Sequence, residues 1–114
     1  MIKIRIVRNT FGNIIGYSIS GHAGFDEYGK DVVCAAVSMA GQMALLGLTQ
    51  LLSADVQWEM TSGNLNCRLN EQMDDDKMEK CQVILETMVL GLKDVAKQYK
   101  SYIDIIEEEV LRNV

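Results

Sequence analysis

Alternation of apolar and polar residues dominates the start of the chain. Within residues 1–7, isoleucine fills every second position, and basic residues fill two of the positions between. Residues 14–20 return as a second run of this kind, and the turn signal Gly12-Asn13 separates the two runs. Half-buried strands joined by a tight turn show this pattern. The sequence therefore predicts a β-hairpin that delivers His22 at its end.

The longest uncharged stretch, residues 32–54, predicts a first helix that ends near Ser53. Its length would cross a bilayer, but polar residues interrupt it, and its flanks, Asp31 and Asp55, are acidic where membrane spans carry basic and aromatic residues. We interpret it as a central helix that protein covers on several sides, and we expect no membrane contact. Small residues along it allow close approach of another helix, so we expect a homodimer. These residues are Ala35, Ala36, Ala40, Gly41, Ala44 and Gly47.

The second half of the chain predicts a hairpin, a helix and a strand. Residues 56–60 and 65–69 alternate apolar with polar side chains around a Ser-Gly-Asn turn. Apolar residues at helical spacing follow, and the acidic triplet 74–76 before them is typical of a helix N terminus. A last strand is predicted at residues 102–106, before the acidic run 107–109.

The resulting element order, ββαββαβ, predicts the α+β class, with two helices against a mostly antiparallel sheet. We expect the 114 residues to form one domain over residues 1–114. The formal charge of −5 at pH 7 argues against direct nucleic-acid binding, because phosphate contacts need clustered Lys and Arg. An acidic surface suits a basic protein partner better.

The three cysteines, Cys34, Cys67 and Cys81, form no CxxC pair, and the chain has one histidine. This is a poor set for zinc, and we expect neither a metal nor another cofactor. No signal-peptide pattern precedes the first strand, so we expect a cytoplasmic chain with reduced thiols. Cys67 lies in the apolar register of a strand and Cys81 on a helix, which makes both candidates for the core.

His22 and Cys34 are the candidate catalytic residues. Asp31 is a good helix N-cap, which makes Cys34 the third helical residue. There the helix dipole and unsatisfied N–H groups favour a thiolate, and the same N–H groups could stabilise an oxyanion. A loop joins His22 to the helix, so the fold can bring the imidazole against the thiol. Ser38 and Gln42 follow on the same helix face and could donate hydrogen bonds to a substrate carbonyl.

A longer motif surrounds these two residues. It reads Gly21-His22-Ala23, then Gly29, then Asp31-Val32-Val33-Cys34-Ala35-Ala36-Val37-Ser38. The motif resembles the signature of the bacterial ribosomal-processing cysteine protease family, called Prp, whose members are single domains of about this size. The resemblance implies that His22 is the base and Cys34 the nucleophile. It also implies cleavage of a short N-terminal extension from a protein of the large ribosomal subunit, with Asp31 and Ser38 as supporting groups.

The loop of residues 23–30 joins the two candidate residues and must border the cleft. Its glycines are Gly24 and Gly29, and Phe25 and Tyr28 are its large apolar groups. We expect this loop to contact the substrate, to be mobile when the site is empty and to close over a bound peptide. The alternative is that both aromatic rings fold back onto the domain.

Two other functions stay open at this level. The chain could be a non-catalytic ribosome-assembly factor that binds a basic ribosomal protein, with His22 and Cys34 as packing residues. It could also be a redox sensor that uses Cys34, although no resolving cysteine lies near it in sequence.

Overall fold

Five strands form one sheet in the computed structural model, which describes residues 1–24, 26 and 31–110. Within these residues the strands are β1 (Ile2–Arg8), β2 (Ile14–Ser20), β3 (Val56–Thr61), β4 (Asn64–Leu69) and β5 (Ile103–Glu109). Their order across the sheet is β3-β4-β2-β1-β5. β1 and β5 are parallel, and all other neighbours are antiparallel. Both predicted hairpins are therefore confirmed.

Two helices cover one face of this sheet. They are α1 (Val32–Leu46), which continues into a π-helical turn (Gly47–Leu51), and α2 (Asp75–Gln98). Cross-strand pairing sets Ile4 opposite Ile19 and Ile6 opposite Tyr17, and all four side chains are buried. The apolar side of each strand thus selects the face on which the helices pack. The predicted α+β class and its ββαββαβ order are confirmed.

The start of α1 is fixed by the predicted cap. The carboxylate Oδ1 of Asp31 accepts hydrogen bonds from the backbone N–H groups of Val33 and Cys34, each at 3.0 Å. A cap of this kind stabilises a helix by about 1 kcal/mol, because it satisfies donors that have no partner inside the helix. Cys34 is the third residue of α1, as predicted.

Close contact between α1 and the sheet depends on Gly41. A Cβ atom at this position would lie 2.6 Å from Ile19 Cδ1 and 2.9 Å from Leu65 Cδ2, so a larger residue would push the helix away. The buried hydroxyl of Tyr17 donates a hydrogen bond to the Gly41 carbonyl at 2.8 Å. Burial raises the pKa of Tyr17 and so keeps this phenol a neutral donor. The strand that leads to the histidine is thereby fixed to the helix that carries the cysteine.

The expectation that protein covers α1 on several sides is wrong. In the part of the chain that the structure describes, only one side of the helix is buried, and large apolar residues of the other side are exposed. The exposed residues are Val32, Met39, Met43 and Leu46. Val32–Leu51 is long and apolar enough to cross a membrane. Of its most apolar 18-residue segment, 33% is buried in the fold. That buried side belongs to the hydrophobic core, and soluble proteins have core helices of similar length and hydropathy.

The predicted end of the last strand is also wrong. β5 runs through the acidic residues to Glu109 instead of stopping at residue 106. Basic side chains compensate these charges: Arg5 pairs with Glu108, and Glu107 accepts hydrogen bonds from Arg8 at 3.2 Å and Lys93 at 3.1 Å. Hydrogen bonding to Lys93 and then to Arg8 lowers the pKa of Glu107 below its ordinary value. The acidic run can therefore extend the strand because its partners lie on β1 and α2.

Candidate active site

A cavity of about 220 Å³ lies where the end of β2, the first turns of α1 and the β3–β4 turn meet. His22 and Cys34 both line it. Ser38 and Gln42 line it from α1, one and two turns beyond the cysteine. Apolar side chains of the sheet complete its wall, so the site combines a few polar groups with an apolar floor. The fold thus brings His22, Cys34, Ser38 and Gln42 to a single cavity.

The Cys34 thiol is held at the start of α1 and is partly exposed. Its sulfur accepts a hydrogen bond from the backbone N–H of Ala23, with an N···Sγ distance of 3.2 Å. A donor at this distance, together with the positive end of the helix dipole, stabilises negative charge on sulfur. The position is therefore suited to a nucleophilic thiolate.

The expectation that backbone N–H groups at this helix start bind an oxyanion does not hold for three of them. The N–H groups of Val33 and Cys34 donate to the Asp31 carboxylate, and the N–H of Ala35 donates to the Asp31 carbonyl at 3.1 Å. These three donors already have partners, so they are not free to bind an oxyanion. Asp31 is buried and serves as the helix cap.

The exposed imidazole of His22 rests against the β3–β4 turn. Gly21, just before it, has φ +89°, and its N–H donates a hydrogen bond to the Gly63 carbonyl at 2.9 Å. Gly63 has φ +76°, and a Cβ atom at this position would lie 2.9 Å from His22 Nε2. A glycine is required there both for the backbone conformation and for space beside the ring. The turn therefore acts as a wall behind the imidazole.

Sequence reasoning missed this role of Gly63. The Ser62-Gly63-Asn64 signal predicted the turn, but the contact with His22 joins positions 41 residues apart and depends on how β2 and β4 pair. The pairing of Ser20 with Asn64 brings the end of β2 beside the turn. The register of β2 against β4 would have revealed this contact, but that register can be predicted only when the strand order is known.

The expected substrate loop is only partly described. Gly24 is exposed, has φ +71° and leaves open space where a Cβ would be. Phe25, Tyr28 and Gly29 lie outside the described residues. The predictions that the loop is mobile and closes over a peptide therefore stay predictions.

The other two cysteines are in the core, as predicted. Cys67 and Cys81 are buried, and burial raises the pKa of both thiols, that of Cys67 to about 11. At neutral pH they are protonated and shielded from solvent. Of the three cysteines of the chain, only Cys34 is partly exposed.

A larger groove of about 620 Å³ lies on the opposite face of the sheet, where Arg5, Ser18 and Asn66 stand in register across β1, β2 and β4. It does not contain the histidine, and the cysteine that borders it is the buried Cys67. The smaller cavity is therefore the candidate active site, because it holds both His22 and Cys34.

The chain is similar in sequence to known proteins. A family model described as "Cysteine protease Prp" matches residues 1–104. The ribosomal processing cysteine protease Prp of Staphylococcus aureus (strain Mu50 / ATCC 700699) is 31% identical over 106 residues, which cover 90% of this chain and 95% of that protein. Its namesake in Bacillus subtilis (strain 168) is 28% identical over 106 residues, covering 88% and 91%.

The fold is similar to that of a solved structure as well. A crystal structure of an essential ribosomal processing protease Prp from S. aureus, in complex with a covalently linked product peptide, superimposes with a TM-score of 0.85. The sequence identity is 26%, and the match covers 95% of this chain and 100% of that chain.

Proposed function

This chain belongs to the Prp family of cysteine proteases, and we propose that His22 and Cys34 are its catalytic dyad. The observation that supports the dyad most directly is that both side chains line one cavity of about 220 Å³. In that cavity the Cys34 thiol lies at a helix N terminus and accepts a hydrogen bond from the backbone N–H of Ala23. Burial and a raised pKa make the other two thiols unsuitable as nucleophiles.

In this proposal His22 takes the thiol proton of Cys34, and the thiolate attacks the carbonyl carbon of a peptide bond. The protonated imidazole then gives the proton to the leaving amine, and water releases the acyl-enzyme. The developing oxyanion needs donors other than the N–H groups of Val33 and Cys34, because the Asp31 carboxylate occupies those. The Ser38 hydroxyl, one helical turn along the same cavity, is suited to this task.

As substrate we propose the N-terminal extension of a large-subunit ribosomal protein, cleaved in the cytoplasm during ribosome assembly. The support is that the S. aureus and B. subtilis relatives are ribosomal processing cysteine proteases, together with the net charge of −5, which suits a basic partner. The direct test incubates the purified protein with a peptide that spans such an extension from the same genome and follows cleavage by mass spectrometry.

Two variants separate catalysis from binding in that test. Cys34→Ala should bind the peptide and leave it intact, and His22→Ala should lose turnover with little change in binding, because a general base acts in the chemical step. If wild-type protein binds the peptide without cutting it, the chain is a binding factor instead. If His22→Ala keeps most of its turnover, another group is the base.

We also propose that the protein is a homodimer that packs through the uncovered side of α1. Exposed apolar residues recur there at spacings of four and three, as in helices that pair with a second helix: Val32, Ala36, Met39, Met43 and Leu46. Met43→Glu should convert the dimer to a monomer in light scattering. The matched control, Val83→Glu on the exposed side of α2, should leave the dimer intact. A wild-type monomer would reject the proposal.

A further inference from the structure

β3 is an edge strand whose outer side has no partner among the described residues, since it pairs only with β4. In an antiparallel pair, alternate residues direct their N–H and C=O groups to the partner strand, and the residues between direct theirs away from it. The N–H of Asn70 donates to the Asp55 carbonyl at 2.9 Å, directly before β3 begins. This bond determines which residues of β3 direct their backbone N–H and C=O groups toward β4.

The register extends that assignment along the strand. Asp55 and Asn70 continue the pairing in which Val56 lies opposite Leu69, so residues 57, 59 and 61 form the hydrogen-bonded pairs with β4. The backbone N–H and C=O groups of residues 56, 58 and 60 consequently point to the open edge. These groups can form hydrogen bonds with an extended chain laid beside β3.

The open edge begins at the active site. Met60 and Thr61, the last residues of β3, line the cavity that holds His22 and Cys34. From Met60 to Val56 the edge is about 13 Å long, at about 3.3 Å per residue, which matches about five residues of an extended peptide. A peptide that occupies the cavity can therefore continue directly along β3.

Along β3, the two faces of the sheet carry different kinds of side chain. Trp58 and Met60 lie opposite the buried Cys67 and Leu65, on the face that holds the helices, yet they are 54% and 48% exposed. Large apolar side chains left in solvent beside a catalytic cavity are suited to contact with a ligand. The intervening Glu59 lies on the opposite face and has no ion-pair partner among the described residues.

We propose that the free edge of β3 binds the peptide substrate as an added strand, which leads the scissile bond to Cys34. Main-chain hydrogen bonds to Val56, Trp58 and Met60 align the substrate. Substrate side chains on the helix-covered side contact Met60 and Trp58 and are preferentially apolar. The substrate side chain between two of these points to the opposite face of the sheet, lies near Glu59 and is preferentially basic. This inference rests on the proposed protease function.

The first test changes the substrate backbone. A cleavable peptide is prepared as a series, each member carrying one N-methyl group at a different residue flanking the scissile bond. Because each N-methyl group removes one donor and adds bulk, kcat/KM should fall about tenfold or more at every second residue on one side of that bond. The residues between should tolerate methylation. Equal tolerance at all flanking residues, or a loss without alternation, would overturn the added strand.

The second test changes the enzyme backbone with a matched pair. Trp58→Ala and Trp58→Pro both remove the indole, but only proline also removes the outward N–H, and an edge strand tolerates proline at such a position. Trp58→Pro should have a KM about tenfold above that of Trp58→Ala at similar kcat, with both variants checked for folding by circular dichroism. Equal KM values would refute the hydrogen bonding.

Failure of this inference is distinguishable from failure of the proposed function. If the unmodified peptide is not cleaved, the protease function fails. If it is cleaved but neither backbone change matters, only the added strand fails. If Trp58→Pro dissociates a dimer that Trp58→Ala preserves, the edge pairs with a second copy of the chain, and the inference is overturned.

Discussion

Replacement of Gly63 by alanine perturbs His22 while both proposed catalytic residues keep their identity. The added methyl group would lie 2.9 Å from His22 Nε2 and 3.0 Å from Cε1, whereas unstrained heavy-atom contacts lie at about 3.5 Å or more. The imidazole would therefore have to move by about 0.5 Å. Since a misplacement of about 1 Å at a reacting group can cost about 100-fold in rate, we expect kcat to fall about tenfold, with little change in KM.

The same substitution also strains the backbone, and this effect must be separated from the first. Alanine at φ +76° costs about 1–2 kcal/mol of stability, because its Cβ approaches the following carbonyl. Gly12 provides a matched control: it has φ +82° in the β1–β2 turn, and a Cβ there meets no atom within 4 Å. Gly12→Ala should lose a similar amount of stability and keep its activity.

The assay compares the two variants with the wild type. Urea denaturation gives the loss of unfolding free energy, and cleavage of a peptide substrate gives kcat and KM at a temperature where all three proteins are folded. The expected result is a similar loss of stability in both variants and a loss of kcat in Gly63→Ala alone. The reasoning is refuted if Gly63→Ala and Gly12→Ala have the same kcat.

Three further predictions follow from the site and its supports. Iodoacetamide should alkylate Cys34 well before Cys67, whose burial raises its pKa to about 11, and peptide mapping that found equal labelling would contradict this. Asp31→Asn should keep both stability and activity because asparagine is an equally good cap, whereas Asp31→Ala should lose about 1 kcal/mol in chemical denaturation; a large loss of turnover in the asparagine variant would make the carboxylate catalytic. Because hydrogen bonding to Lys93 lowers the pKa of Glu107 in the fold, its contribution to stability is present above the ordinary value of 4.5 and is lost as the pH falls through the lower folded value. Glu107→Gln should therefore flatten the acid side of the stability profile, and an unchanged profile would show that the pair contributes nothing.

Local patterns predicted the parts of the fold that local physics determines. The two hairpins follow from alternation and turn residues, and the place of Cys34 in α1 follows from the capping preference of Asp31. Each of these features involves residues that are close in sequence. The strand order and the contacts that depend on it could not be obtained in this way.

The errors have different physical origins. β5 extends through its acidic run because Arg5, Arg8 and Lys93 come from other elements, and sequence spacing does not reveal that these charges meet. The expectation of free donors at the start of α1 has another origin: it did not take into account that the predicted Asp31 cap binds two of the same N–H groups. The wall behind His22 depends on the pairing of β2 with β4, so it became visible only in three dimensions.

The parallel pairing of β1 with β5 affects the order in which the sheet is completed. β1 pairs with β2 on one side, whereas its other neighbour begins at Ile103, 101 residues after Ile2. Contacts of such long range form slowly, because the whole intervening chain must be ordered before they are made. β1 also bears on the site, since the Met1 carbonyl lies against Gly21 and Ile2 lines the cavity. A nascent chain on the ribosome can therefore pair β1 with β2, the hairpin that leads to His22, before β5 completes the sheet.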